Sequence, residues 1–418
     1  MALQKRLRVG DATTARFRRN LLNWYRASKR DLPWRRTRDP YRIWLSEIML
    51  QQTRVAAALG FYDRFLERFP TIEALAAARL DDVLRLWAGL GYYSRARNLH
   101  RAAQEIVARH GGEFPRTWDA AIALPGIGRY TAAAILSIAY GAPHAVLDGN
   151  VARVLARLDA VRGDLRAPRR WNALAVRAQQ LLPPRARCGS ADGDAPGDWN
   201  QAMMELGATI CLPRAPRCEV CPVRMFCRAR SLGLANSLPA ARVKRAPESV
   251  TLGAAVLLDA RGRTLLLRPA VAEAALFSRM WQFPAIEPTS VGAPRVAFTR
   301  GVFSSTASSA MKMGTSESER AKENSALRAA LAKHLRVSLG IAGIKTVRLE
   351  RADDSRHTVT FRRIRLATFL ARVARLPRLP NARAPLLRDV AHLAVSSATK
   401  KIATAAVRAV SAARPAKA

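Results

Sequence analysis

The chain has 418 residues, 49% hydrophobic and 24% charged, which is apolar material enough for two or three domains with real cores and excludes disorder throughout. Lysine and arginine number 70 against 31 aspartate and glutamate, a formal charge of +39, and an excess of that size points to a polyanion, nucleic acid before any other, as partner. Five cysteines are an odd number for a disulfide framework, and four of them fall within seventeen residues, which indicates a reducing compartment and a metal site.

Lys5, Arg6, Arg8, Asp11, Arg16, Arg18 and Arg19 interrupt the first thirty residues too often for a signal peptide, so a cytoplasmic, nucleoid-associated protein is expected. The longest uncharged run, Tyr130 to Leu147, contains Gly141, Pro143 and His144 and suits a buried helix of a soluble protein; no membrane partner is expected. Apolar residues recur at three and four from about residue 10 to 230, as in Phe17, Leu21, Leu22 and Trp24, with helix punctuation at Pro33, Pro40, Pro70, Gly89, Gly91, Pro125, Gly126 and Gly128. Residues 1–234 are thus predicted to be one all-α unit, interrupted by a surface insertion at about 185–198 that holds Cys188. A polar, basic linker follows at 235–249.

A mixed α/β domain is predicted over 250–375. It opens on two apolar runs between Val250 and Leu267, split by Asp259-Ala260-Arg261-Gly262, a hairpin signal. Residues 287–323 lack period and read as a mobile insert; Leu327, Leu331, Leu335 and Leu339 then mark a helix, and Arg362 to Leu370 a strand. From Ser355 to the end there are fourteen Lys or Arg against one acid, Asp389. The Ala-rich stretch 376–418 is expected to be a partly ordered tail contacting nucleic acid.

Four constellations carry chemistry. Leu124 to Ala132 puts Gly126 and Gly128 in a tight turn just before an apolar helix, so that backbone N–H groups near Thr131 face a phosphate-sized space; a plain connection between helices is the alternative. Asp148 stands at the N-cap of a helix beginning Gly149-Asn150-Val151, where a carboxylate can cap and also stabilise a developing cation. Glu47 is a lone acid in the apolar run Trp44 to Leu50, and burial there would raise its pKa towards that of a proton donor at neutral pH; a solvent-facing position is the alternative. The two together would form an acid and an electrostatic partner or nucleophile, the pair that cleaves glycosidic bonds. Cys211, Cys218, Cys221 and Cys227, in the spacing C-x6-C-x2-C-x5-C, indicate a structural metal site, which by thiolate chemistry alone suits zinc and an iron–sulfur cluster equally. Arg214, Arg217, Arg224 and Arg228 surround them.

Leu32-Pro33-Trp34-Arg35, Trp44 to Thr53, Gly89 to Leu99, Leu124 to Ala132, Leu147 to Arg153, Asn200 to Ala208 and the cysteine loop, in that order, resemble the helix-hairpin-helix DNA glycosylase superfamily, and within it the adenine DNA glycosylases of MutY type. The resemblance covers roughly residues 15 to 230, with the helix-hairpin-helix at about 120–135. It implies a [4Fe–4S] cluster in the loop 211–227, and a monomer acting on double-stranded DNA. It also implies an N-glycosyl hydrolase of base-excision repair that flips adenine, mispaired with 8-oxoguanine or guanine, out of the duplex.

By the same resemblance Glu47 protonates adenine N7 and later activates water, Asp148 stabilises or captures the sugar cation, and Tyr130 and Asn150 support them. Trp34, Arg35 and Gln201 line the adenine pocket, Gln52 and Tyr92 enter the DNA stack, and Gly126, Gly128 and Thr131 meet the backbone. Tyr130 stands where bifunctional glycosylase–lyases carry a Schiff-base lysine, which predicts a monofunctional enzyme. Residues 250 to about 372, through Met280-Trp281-Gln282-Phe283-Pro284, resemble the Nudix-like domain that inspects 8-oxoguanine. Between Ala321 and Gly340 the one acid is Glu323, so that domain is expected to bind rather than to hydrolyse nucleotides. Val359-Thr360-Phe361 stands where the family commonly has Phe-Ser/Thr-His; Thr360 keeps the hydroxyl for the opposite base. The competing readings are a thymine-mismatch glycosylase and a catalytically idle iron–sulfur DNA-binding protein.

Overall fold

The computed structural model describes residues 12–183, 196–240, 246–268, 280–287, 295–296, 317–337, 339–341, 348–359 and 361–412. Cys188, Thr360, most of the expected insertion at 185–198 and most of the insert at 287–323 lie outside the described residues.

The helices in chain order are α1 (Ala12–Ser28), α2 (Pro40–Leu50), α3 (Val55–Arg68), α4 (Ile72–Ala76), α5 (Leu80–Leu86), α6 (Ser94–His110), α7 (Trp118–Ala123), α8 (Arg129–Tyr140), α9 (Gly149–Leu158), α10 (Pro168–Leu181), α11 (Pro196–Thr209) and α12 (Arg228–Ser231). All but α5 belong to a first compact unit, Met1–Ala78 with Ser94–Val243. Its core gathers Phe17, Leu21, Leu22, Trp199, Met203 and Leu206 with Val151, Val154, Leu155 and Leu158, whose spacing puts one apolar stripe of α9 inward. The apolar run from Tyr130 breaks at Gly141, which ends α8 in the left-handed conformation (φ 67°) with its N–H bonded to Ser137 O at 3.0 Å. Among the described residues no helix is long and apolar enough to cross a membrane.

The second unit is Arg79–Tyr93 with Lys244–Ala418. A mixed sheet is built on β1 (Glu248–Leu258) and, parallel to it over eleven residue pairs, β7 (Arg362–Arg372). With β2 (Leu266–Leu267), β3 (Ala285–Glu287), β4 (Arg295–Val296), β5 (Glu350–Arg351), β6 (Ser355–Val359) and β8 (Ala382–Arg383), the order is β4-β3-β1-β7-β5, β6 pairing with β7 and β2 with β8. Helix α13 (Glu317–Val337) lays Leu327, Leu331 and Leu335 on the sheet, and Gly253 of β1 lets Leu327 approach where a Cβ would stand 2.7 Å from its Cγ.

Several expectations need correction. The all-α stretch is not one unit, because Arg79–Tyr93 packs with the sheet domain: Asp81 pairs with Arg268 and Arg383, and the Tyr93 hydroxyl donates to Val395 O at 3.4 Å. The Asp259–Arg263 turn forms, with Asp259 Oδ1 accepting from the N–H groups of Arg261 (3.0 Å) and Arg263 (2.9 Å), but no two-armed hairpin follows. Past one bridge, Leu258–Thr264, strand β2 leaves to pair with β8. The part of the tail that is ordered includes α14 (Ser397–Ala412), which buries Ala398, Ile402, Ala403, Ala405 and Ala406, because its alanines and isoleucine recur on one helical face. The described end of the 287–323 insert, from Glu317, already belongs to α13.

Gly197 starts α11 against α8, where a Cβ would lie 2.7 Å from Ser137 O and 2.8 Å from Ile138 Cα. Backbone atoms cannot yield as side-chain tips do. Gly197→Ala is expected to destabilise the helical unit by about 2 kcal/mol, read as a lower urea midpoint with unchanged secondary structure.

Candidate active site

A cavity of about 200 Å³ opens in the helical unit, lined by Trp34, Arg35, Glu47, Tyr130, Asp148, Asn150, Gln201, Met204 and Glu205 among others. The structure thus brings together all seven residues expected for catalysis and the adenine pocket. They come from five places: a 3-10 turn at Pro33–Arg35, the body of α2, the first turns of α8 and α9, and α11.

Helix α2 is started by Asp39, whose side chain accepts from Tyr41 N at 2.8 Å, with Pro40 in the first position. Its far end is held by Arg95 of α6, a buried guanidinium donating to Ile48 O (2.8 Å), Met49 O (2.9 Å) and Gln51 O. Glu47 lies between these two fixed ends, 7% exposed. Asp148 caps α9, with Oδ1 accepting from Val151 N at 2.7 Å and Oδ2 from Asn150 Nδ2 at 3.1 Å. Arg153, one turn on, donates to Asn150 Oδ1 (3.0 Å), Gly207 O (2.8 Å) and Cys211 O (2.9 Å), which runs a continuous polar chain from Asp148 to the cysteine loop. Asn200, fully buried, ties the α8–α9 loop to α11: it accepts from Val146 N and donates to His144 O and Ser137 Oγ.

Burial pushes the Glu47 carboxyl up to about 7; a hydrogen bond from Tyr130 and the Arg35 charge oppose that rise, and the Asp148 charge adds to it. Asp148 is also raised by burial, against the hydrogen bonds from the α9 N-terminus and Asn150. Tyr130 is held well above its ordinary value, first by burial and then by both carboxylates, so it stays a neutral donor; its hydroxyl also lies 3.1 Å from Met204 Sδ. The cavity therefore holds one carboxyl able to carry a proton near neutrality beside a second that caps a helix.

Gln52 (φ 59°) and Tyr92 (φ 48°), expected to enter the DNA stack, are both exposed and both in the left-handed region without being glycine. Backbone strain of this kind costs on the order of 1–3 kcal/mol and collects at functional loops. Gly126 (φ 79°) packs against Asn98, where a Cβ would lie 2.7 Å from that residue's Cβ, and Gly128 caps α8. The first N–H groups of α8 have no acceptor within the helix. Thr131 is buried and its hydroxyl accepts from Gln51 Nε2 at 3.3 Å.

Cys211, Cys218, Cys221 and Cys227 are free and half-buried. Burial raises the Cys221 thiol to about 12, with the charges of the other three adding to the rise. Arg157, 2% exposed, donates to Cys211 Sγ at 3.2 Å. Among the described residues no group of three or more His, Cys, Asp or Glu is gathered closely enough for a single metal ion. Arg214, Arg217 and Arg224 are exposed and Arg228 is half-buried. The residues that sequence reasoning missed are Arg30, Arg153, Met204 and above all Glu205. Like Glu47, Glu205 is a lone acid in an apolar helical run, and the same signal could have found it.

Residues 45–175 match the model of the HhH-GPD superfamily of base excision DNA repair proteins. Curated relatives of the chain include adenine DNA glycosylases. The chain is 49% identical over 228 residues to the adenine DNA glycosylase of Homo sapiens, a match covering 52% of this chain and 40% of that protein. With the adenine DNA glycosylase of Buchnera aphidicola subsp. Acyrthosiphon pisum the identity is 40% over 219 residues, covering 51% and 59%. A solved thermostable thymine-DNA glycosylase is 30% identical with a TM-score of 0.46, covering 53% of this chain and 97% of its own. The chain spans about half the length of the curated relatives it matches.

The raised Glu47 carboxyl has a measurable cost. Its ordinary value of 4.5 becomes about 7 in the folded chain, so below pH 4.5 it is protonated folded or unfolded, while above pH 7 folding keeps a proton the unfolded chain would release or buries a charge. The difference is about 3 kcal/mol. Glu47→Gln is expected to be more stable than the parent at pH 8 and equal to it at pH 4, read from urea midpoints across that range.

Proposed function

We propose that the protein is a monofunctional DNA glycosylase that hydrolyses the N-glycosyl bond of adenine mispaired with 8-oxoguanine or guanine in double-stranded DNA, as a monomer in base-excision repair in the cytoplasm at the nucleoid. The observation that carries this reading is Glu47: a carboxyl 7% exposed, raised to about 7, in a cavity on the scale of one base, with Asp148 across it. The flipped adenine would lie against Trp34, Arg35 and Gln201. Glu47 gives its proton to N7, the C1′–N9 bond breaks with its electron pair passing to the purine, and the sugar cation is met by the Asp148 carboxylate. Water then adds to C1′ and its proton returns to Glu47. Tyr130 has no amine with which to form a Schiff base, so strand cleavage is not part of the reaction.

The four cysteines would hold a [4Fe–4S] cluster, which supplies a rigid, charged scaffold for the loop. The Arg157 N–H donated to Cys211 Sγ suits a thiolate ligand. The metal's identity rests on the family resemblance. The DNA backbone would meet Gly126, Gly128 and the start of α8, with Gln52 and Tyr92 entering the stack. The sheet domain is read as Nudix-like and as a binding module for the base opposite adenine, with Thr360 as its contact. In support, Glu323 is engaged by Arg365 at 3.1 Å rather than left for a cation. Two features disfavour the thymine-mismatch and idle readings: the higher identity to the adenine enzymes, and a protonatable acid that a simple binder would have no use for.

Single-turnover release of base from duplexes carrying adenine opposite 8-oxoguanine, guanine or thymine, with a thymine–guanine duplex alongside, tests the proposal. Adenine release opposite 8-oxoguanine and guanine is expected, slowed about a thousandfold in Glu47→Gln. Thymine release, or no release at all, would overturn it. Iron and acid-labile sulfide in equal amounts, lost together in Cys221→Ser, are expected in the same preparation.

A further inference from the structure

The cavity wall holds a second buried acid with the opposite fate. Glu205 of α11 is 1% exposed and sits between two guanidiniums: Oε1 accepts from Arg30 Nε and Oε2 from Arg30 Nη2 and Arg35 Nη2, each at 2.7 Å. Arg35 is further fixed by a bond from Nη1 to Arg30 O at 3.2 Å, and its guanidinium lies over the Tyr25 ring, 5.6 Å from the centroid. Every group that holds Arg35 thus lies on the side of α1 and α11. Yet Arg35 lines the same cavity as Glu47, and an unrestrained guanidinium beside a buried carboxyl would pair with it.

We infer that Glu205 is a positioning residue for the proposed acid: its carboxylate anchors the Arg35 guanidinium to α11, so that Arg35 cannot become the counter-ion of Glu47 and strip it of its proton. The inference rests on the catalytic reading of Glu47 given above. The groups facing Glu47 are Tyr130 from α8, Asp148 from α9 and Arg35 from the 3-10 turn, while Arg95 of α6 is engaged with the carbonyls that end α2 and Tyr62 of α3 with Arg42 O. Those facing Glu205 are Arg30, Arg35 and Tyr25. The two arginines hold Glu205 down at about 2, so it keeps its charge across the working range, while Arg35 already acts to lower Glu47 from its anchored place. An opposite charge brought to within about 4–6 Å lowers a carboxyl by a further unit or more. With Glu47 taken from about 7 to about 6, its protonated fraction at pH 7 falls roughly fivefold.

The test follows Glu47 directly, by the ¹³C carboxyl resonance of glutamate-labelled protein assigned with Glu47→Gln, and in parallel follows adenine release against pH. In Glu205→Gln the titration of Glu47 and the alkaline fall of activity should both move down by about one pH unit, and the ratio of variant to parent release should fall about fivefold between pH 5 and pH 7. Glu205→Asp, which keeps the charge, should stay within about half a unit of the parent. The double variant Glu205→Gln with Arg35→Gln leaves no unpaired buried charge and folds more readily than the single one; in it Glu47 should titrate at or above its parent value. A folded Glu205→Gln protein with Glu47 unmoved would overturn the inference, as would a Glu205→Asp shift as large as that of Glu205→Gln. So would a double variant in which Glu47 stays low. If the parent released no adenine, the catalytic reading would fail by itself, while the resonance would still decide what Glu205 does.

Discussion

Glu47 and Glu205 are the same side chain, buried to nearly the same degree in the wall of one cavity, and their carboxyls sit about five units apart, near 7 and near 2. Burial raises both, so it cannot be what brings Glu205 below its ordinary value. What lowers Glu205 is hydrogen-bonded charge: two guanidiniums reach it at 2.7 Å, whereas no arginine is hydrogen-bonded to Glu47 among the described residues. In a chain of net charge +39 an acid with a raised pKa is the harder of the two to make, because the average surroundings favour the anion. The fold achieves it by burying Glu47 and by giving Arg35 another carboxylate to pair with.

The backbone serves the same end. A side chain that must stay protonated needs surroundings that do not relax around its charge, and both ends of α2 are fixed, by the Asp39 cap and by the Arg95 guanidinium on its last carbonyls. That clamp also sets the turn in which Gln52 takes up its left-handed backbone. Asp148 depends on a similar arrangement: the α9 N-terminus, Asn150 and Arg153 orient it, and Arg153 carries the link on to Cys211 O. The position of the second carboxylate is therefore tied to the cysteine loop, 63 residues further along the sequence, by three side chains in series.

Much of this was legible in the sequence, because each signal was local. A lone acid in an apolar run marked Glu47, an acid before Gly-Asn-Val marked the cap, and paired glycines marked the start of α8. What was not legible depends on pairings that local pattern does not encode. Glu205 carried the same signal as Glu47, and its meaning lay in Arg30 and Arg35, 175 and 170 residues away. The Asp259 turn was readable, but the choice of β8 rather than β1 as partner for β2 is a long-range one. Basic composition made the end of the chain look like a partly ordered tail, while its fold lies in Ala398, Ile402, Ala405 and Ala406, small residues whose helical spacing is quiet beside so many charges.

The sheet domain follows the same rule of occupied cations. Asp81 collects Arg268, Arg383 and the indole N–H of Trp281, and both guanidiniums lie over that ring, at 4.2 and 4.9 Å from its centroid. Arg365 is shared by Glu323, Asp354 and Asn324. These arginines are committed to structure, each tied to an acid that the strong basic excess makes scarce. The scarcity gives such acids an unusual weight: Asp81, Glu205 and Glu323 each anchor one or two arginines, while Glu47 is kept from them. At Glu47 the outcome is decided by Glu205, which has taken the nearby Arg35 guanidinium first.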